Sequence, residues 1–134
     1  MEVHVNYLAV LVAAAANYLI AVIWYAAIFS KVWAKLTGIT DMKPAPMNIV
    51  LVFIGSLILS FVLYHSIAFG NAYVGTRGIS GGVMGGFFGW LGYIAPATLS
   101  TKLYEKKPWG LWILDNAFWL ISLLVMGSIL SLWM

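Results

Sequence analysis

Four long apolar runs alternate with short polar stretches along this chain, and nearly every charge lies in the stretches. The runs predict helices at Tyr7–Phe29, Met47–Phe69, Ile79–Leu99 and Leu111–Trp133. Each holds about 21 to 23 residues, roughly 32 to 35 Å at 1.5 Å per residue, enough to cross a hydrocarbon core with a little tilt. Breakers separate them. Thr37-Gly38 and Pro44-Ala45-Pro46 bound the first gap, Gly70-Asn71 and Gly75 the second, and Lys107-Pro108 introduces the last helix. Proline suits that place because a first-turn residue has no intrahelical N–H bond to lose. The expected fold is all-α: an integral membrane four-helix bundle made of two transmembrane hairpins, forming one domain over residues 1–134.

Charge orients the bundle. Lys31, Lys35 and Lys43 lie in the gap 30–46, Lys102, Lys106 and Lys107 in the gap 100–110, and Arg77 alone lies elsewhere. Basic residues concentrate in cytoplasmic loops, so both lysine gaps are expected inside and both termini outside. Those lysines also predict attraction to anionic lipid at the cytoplasmic leaflet. Tyr7, Trp33, Tyr104, Trp109, Trp112 and Trp133 fall near the span ends, where amphipathic rings sit at head-group level.

Composition excludes a soluble domain. The chain is 63% hydrophobic and 8% charged, against a charged share of about 25% in soluble domains. The net charge of +3 flanks apolar spans, which points to lipid and not to nucleic acid. The chain holds no cysteine, so disulfides and thiolate chemistry are out. Met-Glu-Val-His-Val-Asn lacks a positive n-region, so no cleavable signal is expected and the first run should remain as a span.

The third run is the most distinctive. Gly78, Gly81, Gly82, Gly85, Gly86, Gly89 and Gly92 project within an arc of roughly 140° at about 100° per residue, and Pro96 falls on the same side. Small residues let helix backbones approach closely in lipid, so this face should pack on another helix, in this chain or a second copy. The first helix offers a partner surface through Ala13, Asn17, Ala21 and Trp24. Asn17, near mid-bilayer, should hydrogen-bond across helices.

Asp115 is the one acid inside a predicted span. A carboxylate there normally points into the bundle or towards water. Tyr25, Thr98 and Asn116 lie at comparable depth and could satisfy it, as could Lys31 or Lys102 from the edge. Two readings follow: an ion or ligand site formed by Asp115, Asn116, Tyr25, Thr98 and Asn17, or a polar network that fixes a helix pair. His65, His4 and Glu2 are too scattered for a metal site, and no cofactor is expected. No phosphate loop, zinc-protease motif, nucleophile elbow or dinucleotide fingerprint occurs, so the chain is not expected to be an enzyme.

Certain stretches are similar to a known family. Asn6-Tyr7-Leu8-Ala9-Val10-Leu11-Val12-Ala13-Ala14, Trp24-Tyr25 and Lys31-Val32-Trp33-Ala34-Lys35-Leu36-Thr37-Gly38 come first. Gly89, Tyr93-Ile94-Ala95-Pro96-Ala97, Leu114-Asp115-Asn116-Ala117 and Met126-Gly127-Ser128-Ile129-Leu130 follow. In order and spacing they resemble the small bacterial membrane proteins of the domain of unknown function 1761 family over nearly the whole chain. The resemblance implies four helices and a membrane location, and brings no activity and no catalytic residues. It also implies a small residue and then proline after Trp24-Tyr25. Ala26 and Ala27 stand there, which removes the ground for a kink in the first helix.

The function expected from these features is a helix-packing or accessory component of a bacterial cytoplasmic membrane. It would self-associate or join a larger membrane complex through the glycine-rich third helix. The alternative is a small dimeric transporter or channel with Asp115 as a proton- or cation-binding group.

Overall fold

The computed structural model describes residues 2–41, 43 and 45–134; Pro44, expected above to help bound the first gap, lies outside them. Helix α1 runs Tyr7–Val22 and continues into a π-turn over Ile23–Ile28. Helix α2 is Ser30–Thr37, α3 is Pro46–Val74 and α4 is Gly78–Gly89. A second π-turn, Trp90–Ile94, joins α4 to α5, Ala95–Tyr104, and α6 is Trp109–Leu132.

Local chemistry sets most of these ends. The Asn6 side chain caps α1 by accepting the Ala9 N–H at 3.2 Å. Gly38 and Gly75 close α2 and α3 in the left-handed conformation that glycine adopts without a Cβ clash. Gly70-Asn71 does not break α3, which runs five residues past Phe69 to Val74. Pro96 explains the second π-turn. Its ring has no N–H to donate and would clash with the carbonyl four residues back, so the helix widens just before it. The first π-turn forms without proline, with the Phe29 N–H on the Trp24 carbonyl at 2.9 Å. The first helix therefore leaves α geometry at Ala26-Ala27, where no kink was expected.

The all-α expectation stands, but the four-helix bundle of two transmembrane hairpins does not. Among the described residues there are five helical segments, because α4, the π-turn and α5 are continuous. Three of the five are long and apolar enough to cross a membrane: Tyr7–Ile28, Pro46–Val74 and Trp109–Leu132. The expected span Ile79–Leu99 is not one of them. Seven glycines across 78–104 supply backbone but no apolar side chain, which lowers the mean hydropathy of the segment. The gap 30–46 also holds the helix α2, and most of the gap 100–110 is taken up by the ends of α5 and α6.

Nor do the helices pair off as hairpins. Helix α6 is the hub: it packs against α1, α2, α3, α4 and α5. The core joins Ala9, Val10 and Ala13 of α1, Leu63, Tyr64 and Ile67 of α3, and Leu123, Met126 and Leu130 of α6. Outward, α3 exposes Leu51, Val52, Ile54, Ile58 and Val62. Such a surface is stable only against hydrocarbon. This is a multi-pass membrane protein.

The two ends differ in chemistry. Leu36 of α2 lies beside Gly110 at the start of α6, so the two lysine-bearing gaps share one end. At the other end Tyr64 donates its hydroxyl to the His4 carbonyl at 2.9 Å. There a pocket gathers Glu2, His4, Thr76, Arg77 and Met134.

Candidate functional site

Two π-turns flank one step of α6. From the first, Tyr25 donates its hydroxyl to Asp115 Oδ1 at 2.6 Å. From the second, Trp90 donates its indole N–H to Asn116 Oδ1 at 3.1 Å. A π-turn re-aims the side chains around it, which is why such turns recur at functional sites. Here the turns bring a phenol and an indole to adjacent polar residues of α6.

Asp115 and Asn116 do not act on each other's partners. Successive residues on a helix point about 100° apart, so Asp115 faces α1 while Asn116 faces the α4–α5 segment. Asn116 donates to Thr98 Oγ1 at 3.1 Å and to the Trp112 carbonyl at 2.9 Å. Thr98 also donates to the Ile94 carbonyl at 2.7 Å. Of the partners expected for Asp115, the structure supplies Tyr25, and gives Thr98 and Asn116 to a second network.

The lysines do not reach Asp115 either. Lys102 places Nζ 3.7 Å from the centre of the Trp109 ring, a cation–π contact. Among the described residues the one ion pair within 4 Å joins Lys107 to Glu105 at the exposed end. The indole nitrogens of Trp24 and Trp112 are buried without a partner among the described residues.

Asn17 sits in a third place. Its amide donates to Ser56 Oγ at 2.7 Å, and its carbonyl oxygen accepts from Ser122 Oγ. One residue of α1 thus ties α3 and α6 together, inside the bundle and away from Asp115. Sequence reasoning missed Ser56, Ser122 and Trp90 as partners. The two serines carried a signal, since a small hydroxyl in a span favours a helix-facing position.

The glycines divide into two groups. A Cβ on Gly82 would collide with the Gly127 carbonyl oxygen, and one on Gly86 with that of Leu123. Gly81 and Gly85 lie against Asn71 and Ile67 of α3. Gly78, Gly89 and Gly92 have nothing within 4 Å of such an atom, and Pro96 is exposed. The face meets α6 and α3, whereas α1, offered above as its partner, buries Ala13 and Asn17 against α3 and α6.

Where α4 and α3 diverge, an open apolar groove of about 600 Å³ remains. Leu59, Val62 and Ser66 line one wall, Met84, Gly89 and Gly92 the other, and Leu123 contributes from α6. Asp115 borders neither this groove nor the polar pocket at the Arg77 end. His65 bonds the Phe61 carbonyl through Nδ1 at 2.9 Å. Among the described residues no three His, Cys, Asp or Glu side chains gather as metal ligands.

No curated protein and no solved structure matches the chain. A family model does, described as a protein of unknown function, DUF1761, and it matches residues 8–131. The stretches it covers include α1, both π-turns and the Asp115-Asn116 step, and the chain belongs to that family.

Proposed function

We propose that this protein is a non-enzymatic accessory component of its membrane, whose working part is the lateral groove between α3 and α4. The observation that carries this reading is the split among the glycines. Gly81, Gly82, Gly85 and Gly86 are taken up by packing within the chain, while Gly89 and Gly92 open onto the groove. A glycine that packs against nothing weakens its helix relative to alanine, so open glycines in a helix call for an occupant. That occupant is a hydrophobic component of the membrane, held beside the glycines.

The lysine end lies at the cytoplasmic face in this reading, where Lys31, Lys35, Lys102, Lys106 and Lys107 meet anionic head groups. The test is to fill the groove. Gly89→Leu and Gly92→Leu proteins, extracted gently and weighed intact by native mass spectrometry, should lose whatever travels with the wild type. Identical co-purification from wild type and both variants would sink the reading.

One observation favours a second reading, proton- or cation-coupled transport. Asp115 has a phenol partner at 2.6 Å but no cation within 4 Å among the described residues. Flux into vesicles that is lost in Asp115→Asn would support it. No flux of protons, common cations or cationic dyes would remove it. The accessory reading is preferred because neither cavity reaches that carboxylate.

A further inference from the structure

We propose that the groove holds one acyl chain of a phospholipid with a primary-ammonium head of the ethanolamine type, its head group in the pocket at Glu2 and Arg77. This rests on the reading of the groove as the working surface, and it names the occupant.

The first argument is continuity. The apolar groove and the polar pocket share Asn71 and Thr76 as lining residues, so they form one path from apolar wall to charged mouth. An amphiphile fits such a path.

The second argument is length. The groove follows α4 and the π-turn from Gly81 to Ile94, and thirteen steps at 1.5 Å give about 20 Å. One leaflet contributes about 15 Å, half of a hydrocarbon core about 30 Å thick. A full acyl chain can therefore lie in the groove with its head at the pocket. The volume of about 600 Å³ suits one such chain.

The third argument is charge complementarity. The pocket places Glu2 and Arg77 around one space of about 390 Å³. Among the described residues neither joins an ion pair within 4 Å. A phosphate takes the guanidinium, which suits planar recognition of phosphate oxygens. The ammonium takes the Glu2 carboxylate with N–H donors. A choline head has the charge but no N–H to donate, and a glycerol head lacks the positive charge. The pocket thus selects among phospholipids that share the same tails.

The experiment reconstitutes full-length protein into vesicles of phosphatidylcholine, phosphatidylethanolamine and phosphatidylglycerol in equal parts, all with the same acyl chains. Retained lipid is then counted by native mass spectrometry. One phosphatidylethanolamine per chain is expected, in preference to the other two. Glu2→Gln should lower that preference about tenfold, and Arg77→Gln should lower retention of all three lipids about tenfold, the loss expected of one hydrogen bond to a charged group. Both changes lie on the exposed surface and leave the bundle intact. Gly89→Leu and Gly92→Leu should abolish retention of all three lipids.

Retention without head-group preference, a preference unmoved by Glu2→Gln, or retention unmoved by Arg77→Gln overturns the lipid assignment. A second copy of the chain found in place of lipid also overturns it. In that case loss of the dimer in Gly92→Leu would leave the groove reading standing, so the two failures are distinguishable.

Discussion

Gly82 and Gly89 belong to the same run of small residues, seven positions apart on nearly the same side of one helix, yet they meet opposite surroundings. At Gly82 the backbones of α4 and α6 are so close that neither Gly82 nor Gly127 could carry a Cβ. At Gly89 nothing lies within 4 Å. Both lie in the regular helix α4, since the π-turn begins only at Trp90. The same residue type therefore serves contact at one level and vacant space at the next. A glycine pattern announces that something comes close to a helix, but not what, nor from which molecule.

The comparison can be broken most directly at its tight end. Gly82→Leu forces a side chain into the Gly127 backbone, which cannot rotate away. The loss should exceed the roughly 1–3 kcal/mol typical of overpacking, and Gly127→Leu should do the same. Size-exclusion and thermal unfolding in detergent would show it as loss of a folded, monodisperse species. A stable Gly82→Leu protein would mean that α4 and α6 are not in contact there.

The polar bonds allow a subtler contrast between interior and edge. Asn17→Ala removes the bridge to both Ser56 and Ser122 and should cost about 1–2 kcal/mol, given an average near 0.6 and a maximum near 1.7 for single interhelical bonds in membranes. Tyr25→Phe strips Asp115 of its one named donor and should cost about 1 kcal/mol or more. Asp115→Asn keeps an acceptor for the Tyr25 hydroxyl and should cost less than Tyr25→Phe, by the same unfolding measurement. The reverse order would indicate that the carboxylate has a partner beyond Tyr25.

The smallest effect is expected at the open end. Gly89→Ala adds a methyl where space is free and removes glycine's conformational freedom, so it should stabilise by about 0.5–1 kcal/mol. A loss of stability would place an unseen neighbour against Gly89. The side-by-side values for Gly82 and Gly89 would then measure how sharply the helix separates close contact from open groove.

Much of this was legible beforehand. The first apolar run was expected to be helical over Tyr7–Phe29, and α1 with its π-turn covers Tyr7–Ile28, because a long uncharged run has few other readings. The Tyr25–Asp115 pair was foreseeable because both residues sit at one depth and a carboxylate in a span needs a donor. The split of Asn116 and Thr98 into a separate network was not. It depends on where α6 stands among its neighbours, and periodicity describes one helix at a time.

The third segment misled for a related reason. Glycine counts as neither polar nor charged, so 79–99 read as a span, although its six glycines contribute no apolar side chain to a lipid face. The π-turns left no trace in hydrophobic spacing, since runs that are apolar on every side carry no stripe for an extra residue to displace. Pro96 marked the second only in retrospect.

Asn17 has a consequence for how the chain comes to be assembled. Its carbonyl partner, Ser122, is synthesised 105 residues later, in the last helix. Until α6 enters, a carboxamide near the middle of the first inserted helix has only half of its bonds, in a medium without water to supply the rest. Early intermediates therefore carry an unsatisfied polar group inside the membrane, and arrival of α6 satisfies it. Entry of α6 is what completes the hydrogen bonding of that amide at mid-membrane.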